Sequence, residues 1–159
     1  MDKLMLFSDG SVDTRTSVGY GAYLVMSEIG LSPDILKDNV KVKRFDDTSS
    51  TRLELQTLLW ALGDIQTKGK RVIIYTDSQN IIGLESRRAR YEKMSFNSKK
   101  KRPLRNGDLY KDFFALTDRQ DLQFVKVAGH KPSKDKDYIE IIFGLVDRAS
   151  RMALRKNDP

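Results

Sequence analysis

The chain has 159 residues, of which 39% are hydrophobic and 32% are charged, so we expect one folded domain over 1–159 with a core of its own. Lysine and arginine number 29 against 22 aspartates and glutamates, and the net charge of +7 favours a polyanionic partner, nucleic acid first. The absence of cysteine excludes disulfides, cysteine-ligated zinc and a thiol nucleophile. No apolar run approaches the roughly 20 residues of a membrane span and the N-terminus lacks a signal-peptide pattern, so we expect a cytoplasmic protein that does not bind membranes.

The first half of the chain predicts three strands followed by a helix. In order, the elements are a buried strand at 3–8, its hairpin partner at 19–27, a loop at 28–38, a weaker strand at 40–45 and an amphipathic helix at 51–66. A turn-rich stretch is predicted to begin at Asp9, and Ser49 or Ser50 is the expected cap of the helix.

The second half predicts two more strands and three more helices. They are a strand at 71–76, a helix opened by Asp77 or Ser78, a polar and basic segment at 86–106, a helix at 107–117, a strand at 122–127 and a helix at 134–155. A right-handed crossover through the first helix would place the strands at 3–8 and 71–76 side by side and parallel. Asp9 and Asp77 would then lie at or near the carboxyl ends of these strands, where sites form in open α/β sheets.

Four carboxylates stand in or beside apolar runs, where a charge is costly unless something compensates for it: Asp9, Glu54, Asp77 and Asp147. Taken alone, Asp9 before a glycine predicts a turn and Asp77 predicts a helix cap. Glu54 and Asp147, however, align with the apolar faces of their helices. Clustered carboxylates repel one another and a divalent cation relieves the repulsion, so the set of four predicts metal-assisted hydrolysis.

Six short motifs carry a resemblance to a known family. They are Ser-Asp-Gly-Ser at 8–11, Gly-Tyr-Gly-Ala at 19–22, Thr-Arg-Leu-Glu-Leu at 51–55, Thr-Asp-Ser-Gln at 76–79, Val-Ala-Gly-His at 127–130 and Val-Asp-Arg-Ala at 146–149. With these motifs in this order, the chain resembles the ribonuclease H family of the bacterial and eukaryotic type 1 class. The resemblance implies an α/β ribonuclease H-like fold, in which helices flank a five-stranded mixed sheet of order 3-2-1-4-5.

The resemblance also implies an activity, the endonucleolytic hydrolysis of the RNA strand of an RNA–DNA hybrid, which leaves 5′-phosphate products. The four carboxylates match the family's ligands for two Mg²⁺ ions, with Mn²⁺ as a substitute. His130, the only histidine of the chain, matches a histidine on a mobile loop that assists proton transfer or product release.

The same resemblance assigns residues to substrate binding. Those expected at the minor groove, where 2′-hydroxyls distinguish RNA from DNA, are Gly10, Ser11, Ser50, Thr51 and Gln79. Ser49 matches a residue that binds a DNA phosphate, and the basic run Lys99, Lys100, Lys101 and Arg102 falls where relatives carry a basic protrusion that grips the DNA strand. The alternative for the serines and Thr51 is plain helix capping, and for the basic run a solvated loop.

The chain departs from the family pattern at several positions. Ser50 and Thr51 stand where many relatives carry two asparagines, and the segment between His130 and Asp147 is longer than in the best-known members. Glu140 in that segment is either an extra outer acid of the metal site or an exposed helix residue.

Two other functions remain open at the level of sequence. One is another nuclease on the same fold, such as a junction resolvase or a 3′–5′ exonuclease, because fold alone does not separate these activities. The other is a hybrid-binding module without catalysis. We expect a monomer, because no apolar stripe is left over.

Overall fold

The computed structural model describes residues 2–128, 131–132, 134 and 136–157. Its centre is a five-stranded mixed sheet in the order β3-β2-β1-β4-β5. The strands are β1 (Lys3–Asp13), β2 (Val18–Met26), β3 (Lys41–Phe45), β4 (Arg71–Thr76) and β5 (Asp121–Lys126). The helices are α1 (Pro33–Leu36), α2 (Ser50–Asp64), α3 (Gln79–Ile82), α4 (Leu84–Lys93), α5 (Gly107–Arg119) and α6 (Tyr138–Lys156), and a 3₁₀ turn spans Lys37–Asn39. The predicted fold class and strand order are therefore confirmed.

The central strand β1 pairs with its two neighbours over different lengths. It pairs with antiparallel β2 from Met5 as far as Asp13, but with parallel β4 only as far as Phe7, opposite Tyr75. The half of β1 that begins at Asp9 therefore projects past the carboxyl end of β4. The turn predicted at Asp9 is wrong, because hairpin pairing with β2 keeps the backbone extended through that residue.

Helices cover both faces of the sheet, and strand alternation decides which side chains each layer receives. On one face, Leu6, Val72 and Ile74 pack with residues of α2 and α5. On the other face, Met5 and Phe7 pack with residues of α6. Because Asp9 follows Phe7 by two residues, it lies on the face that α6 covers.

Glycines in the hairpin let α2 approach the sheet closely. A Cβ atom at Gly10 would lie 2.8 Å from Leu53 Cδ2, and one at Gly21 would lie 2.1 Å from Thr57 Oγ1. Any larger residue would push the helix away from the sheet. These glycines therefore help to fix the height of α2, and with it the position of Glu54.

Several element boundaries differ from the sequence prediction. The segment 86–106, predicted only as polar and basic, contains most of α4, and the predicted loop at 28–38 contains α1. The last helix begins at Tyr138, not at 134, because Asp137 and Glu140 form a reciprocal capping box there. No helix in the described part of the chain combines the length and the apolar character that crossing a bilayer needs.

Candidate active site

The four predicted carboxylates come from four elements and converge beyond the carboxyl end of β4. Asp9 lies on the projecting half of β1, Asp77 follows the last residue of β4, Glu54 is in the second turn of α2 and Asp147 is on α6. The carboxyl groups of Asp9 and Asp147 share a hydrogen bond, and the charge of Asp77 acts on both Asp9 and Glu54. The four side chains that the sequence singled out are thus linked pairwise, Asp9 to Asp77 and Asp147, and Glu54 to Asp77.

Asp9 has a strongly raised pKa. Burial, the charge of Asp77 and the interactions with Asp147 together raise its pKa from the ordinary value of 3.8 to about 8. A hydrogen bond from the backbone N–H of Gly10 opposes the effect only in part. Without a cation beside it, this carboxyl group keeps a proton at neutral pH.

Glu54 is held by a residue that sequence reasoning did not assign to the site. The Ser78 hydroxyl donates a hydrogen bond to Glu54 Oε2 at 2.5 Å and accepts one from the backbone N–H of Ile81 at 3.1 Å, which caps α3. Burial raises the pKa of Glu54, the Ser78 hydrogen bond lowers it and the charge of Asp77 raises it. A serine after Asp77 reads in the sequence only as a cap, so its second role was hidden.

Asp147 interacts both with the carboxyl group of Asp9 and with the guanidinium group of Arg151. Its Oδ1 lies 3.0 Å from Arg151 Nε, one helical turn later. Together with Asp77, Glu140 and Ala128, these two residues line a small cavity of about 40 Å³. Among residues 2–128, 131–132, 134 and 136–157, no three acidic or histidine side chains stand at the spacing of a ready-made metal cluster. Glu54 hydrogen-bonds with Ser78, and Asp147 pairs with Arg151.

Glu140 is buried, at 8% relative exposure, so the expectation of an exposed helix residue is wrong. Its carboxylate forms an ion pair with Lys131 at 3.1 Å and also accepts from the backbone N–H of Asp137. His130 lies outside the described residues.

The residues predicted to bind substrate flank this site. Ser49 caps α2 by accepting from the Arg52 N–H at 3.3 Å, and it lines an open polar cleft of about 680 Å³ with Arg52 and Arg105. Ser50 is exposed at the start of α2, and Gln79 is exposed and accepts from Lys126 Nζ at 2.7 Å. Ser49 therefore caps α2 and also lines the open cleft.

The basic run at 99–102 is exposed on a hydrogen-bonded turn. Ser98 N–H donates to the Arg102 carbonyl at 2.7 Å, and Asn97 and Pro103 form an isolated antiparallel bridge beneath it. Arg88 of α4 binds both carboxylate oxygens of Asp118 on α5 at 2.8 Å. The backbone of the turn is thus closed by hydrogen bonds while its four basic side chains are exposed, so the alternative of a solvated loop stays open.

A mixed sheet in this order, with carboxylates gathered beyond the end of its fourth strand, defines the ribonuclease H-like class of fold. Residues 1–138 match the family model described as RNase H. The chain belongs to the ribonuclease H family. The match ends before Asp147, so the placement of that residue rests on the structure of α6.

Individual relatives agree with this assignment. The chain is 25% identical to the ribonuclease H of Ruthia magnifica subsp. Calyptogena magnifica, over 91% of this chain and 95% of the relative. It is 23% identical to the ribonuclease H of Moorella thermoacetica, over 99% and 97%.

Solved structures share the fold. The solution structure of the PFV RNase H domain has a TM-score of 0.73 at 14% identity and covers 96% of this chain and 94% of that one. A foamy viral protease–reverse transcriptase in complex with dsDNA has a TM-score of 0.62 at 13% identity, over 95% and 94%.

Proposed function

We propose that this protein is a metal-dependent endonuclease that hydrolyses the RNA strand of RNA–DNA hybrids and leaves 5′-phosphate ends. The observation that carries the proposal is the convergence of Asp9, Asp77 and Asp147, where partial burial and mutual repulsion raise the pKa of Asp9 to about 8. Family membership supports the same substrate class. Such a cluster is unfavourable by itself and becomes favourable when it holds cations.

The donor set fits Mg²⁺. The four side chains supply carboxylate oxygens only, which hard divalent cations prefer, and Mn²⁺ accepts the same ligands. We propose that Asp9, Glu54, Asp77 and Asp147 hold two such ions. When bound, the ions supply an activated water and stabilise the charge that develops on the leaving 3′-oxygen.

The remaining groups serve proton transfer and orientation. We assign His130 to proton transfer, since an imidazole is the side chain that changes charge near neutral pH. Ser78 orients Glu54 through the 2.5 Å hydrogen bond, which lowers the pKa of Glu54 against the larger rise that burial causes. Lys126 holds Gln79 at the edge of the site.

Recognition of the hybrid is assigned to two surfaces. We propose that Gly10, Ser11, Ser50, Thr51 and Gln79 face the minor groove, where the 2′-hydroxyls of the RNA strand lie. The polar cleft lined by Ser49, Arg52 and Arg105 and the basic run at 99–102 would then receive phosphates of the DNA strand.

The absence of cysteine suits a reducing compartment, so we place the reaction in the cytoplasm. We propose that the protein acts as a monomer, because the four carboxylates all come from one chain.

The first experiment is a cleavage assay on four labelled substrates: RNA–DNA hybrid, double-stranded RNA, double-stranded DNA and single-stranded RNA. Each is incubated with Mg²⁺, with Mn²⁺ and with EDTA. We expect cleavage only in the RNA of the hybrid, and none in EDTA. Cleavage of DNA would transfer the function to another nuclease activity, and hybrid binding without any cleavage would make the protein a binding module.

A carboxylate variant tests the assignment of the metal ligands. Asp77→Asn should reduce cleavage below a tenth of wild type and leave hybrid binding intact, because it removes a ligand but no basic contact. The matched control is Asp112→Asn on the exposed face of α5, which should cleave like wild type. Activity of Asp77→Asn above a tenth of wild type would remove Asp77 from the ligand set.

A further inference from the structure

A contact between two hydroxyl groups joins β1 to α6 close to the carboxylates. Ser11 Oγ lies 3.1 Å from Ser150 Oγ, and Ser150 is fully buried. Ser11 follows Asp9 by two residues on the same strand, and Ser150 follows Asp147 by three residues on the same helix. The contact therefore links the two backbone segments that carry the pair of hydrogen-bonded carboxyl groups.

The donor and the acceptor of this hydrogen bond can be assigned. Ser150 Oγ also donates to the backbone carbonyl of Asp147 at 3.0 Å. Because a serine hydroxyl has one proton, Ser150 then accepts from Ser11. The result is a short chain of hydrogen bonds that runs from Ser11 through Ser150 to the main chain of Asp147.

The apolar contacts between β1 and α6 constrain the two elements differently from this hydrogen bond. Phe7 and Val146 pack in an apolar cluster between the two elements. Apolar packing fixes the distance between layers but is not directional, so it opposes sliding of a helix along a strand only weakly. A hydrogen bond requires both distance and angle, and this one fixes the position of α6 along β1.

We propose that Ser150 is a positioning residue that sets the separation of Asp9 and Asp147 and thereby the affinity of the site for divalent cations. The inference rests on the proposed function in assuming that these carboxylates bind cations. It adds to that function a buried residue that touches neither cation nor substrate.

The test measures cation binding directly, by titration calorimetry of Mg²⁺ and of Mn²⁺ into the full chain without substrate. Ser150→Ala should weaken binding by roughly two- to tenfold, the range set by the loss of one hydrogen bond of ordinary net strength. Ser11→Ala should weaken it by a similar factor. The double variant should be no weaker than either single variant, because all three lack the same link.

Ser86→Ala is the matched control. Ser86 Oγ donates to the Gly83 carbonyl at 2.7 Å, the same three-residue back-bond within a helix, but Ser86 is exposed on α4. It should leave cation binding and hybrid cleavage unchanged. In the cleavage assay, Ser150→Ala should need more Mg²⁺ for half-maximal rate while its KM for the hybrid at saturating Mg²⁺ stays at the wild-type value.

Wild-type cation affinity in Ser150→Ala, or losses that add in the double variant, would overturn the inference. Thermal melting without cations identifies a variant that does not fold, and in that case Ser11→Ala, at a partly exposed position, decides the question. Failure of the proposed function would appear separately, as wild-type protein that does not cleave the hybrid.

Discussion

The Ser78 hydroxyl performs two tasks that one substitution separates. It accepts from the Ile81 N–H to cap α3, and its single proton goes to Glu54 Oε2. Ser78→Ala removes both bonds while leaving every carboxylate in place. We expect this variant to lose stability and to change the pH dependence of catalysis.

The size of both effects follows from the two bonds. Loss of the cap destabilises the fold by about 1 kcal/mol, and loss of a hydrogen bond to a charged group adds about 1.5–3 kcal/mol. For a chain of this size, the total corresponds to a fall in melting temperature of about 10 °C. Because the Ser78 hydrogen bond lowers the pKa of Glu54, its removal raises that pKa further. The acidic limb of the rate profile should then move to higher pH.

The assay is kcat/KM on the hybrid from pH 5 to pH 9 at saturating Mg²⁺, together with thermal melting. Ser32→Ala is the control, because Ser32 caps the four-residue α1 by accepting from the Asp34 N–H at 3.3 Å and makes no contact with the site. It should lower stability by about 1 kcal/mol and leave the rate profile unmoved. If Ser78→Ala behaves like Ser32→Ala in both measurements, Ser78 is a cap alone and the role assigned to it at Glu54 is wrong.

Three other predictions concern the charge of the site, the grip on the hybrid and the packing of α2. Because the pKa of Asp9 is raised from 3.8 to about 8, the cation-free protein should lose stability as the pH rises from about 4 to about 8. Thermal melting in EDTA measures this loss, and the Asp9→Asn variant should not show it. Replacing the basic residues at 99–102 by glutamine should raise KM for the hybrid and reduce the slope of log affinity against log salt concentration by about 0.9 per lost phosphate contact. Arginine at all four positions should preserve both the KM and the slope. An unchanged slope in the glutamine variant would contradict the assignment. Gly21→Ala should destabilise the fold by about 1–3 kcal/mol through its clash with Thr57, whereas Gly63→Ala, with nothing within 4 Å, should not, and equal melting temperatures would contradict the close packing.

The sequence predicted the sheet and the four carboxylates because both leave patterns in the residues. The strand at 71–76 matches β4 at both ends, since it is bounded by a glycine turn before it and the acidic turn after it. Glu54 and Asp147 were visible as charges on apolar helix faces. Contacts between distant segments carry no such pattern, so the extension of β1 through Asp9, which depends on pairing with β2, was missed.

The residues that support the carboxylates were also hidden from the sequence. Ser150 is one serine in a polar stretch of α6, and its burial follows only from the way the helix lies on the sheet. Glu140 reads as a surface charge, yet its capping box and the ion pair with Lys131 bury it. Small polar side chains are common on helices, and only tertiary packing decides which of them become structural.

The hydrogen-bonded turn at 99–102 lowers the conformational entropy that would be lost if it bound phosphates. A flexible loop loses backbone freedom when it binds a phosphate backbone, at about 1–2 kcal/mol for each residue that becomes fixed. Here the backbone is already closed by the Ser98–Arg102 hydrogen bond and by the bridge between Asn97 and Pro103. In the proposed contact with phosphates, only the side chains would lose freedom on binding, so the closed backbone would raise affinity without any additional contact.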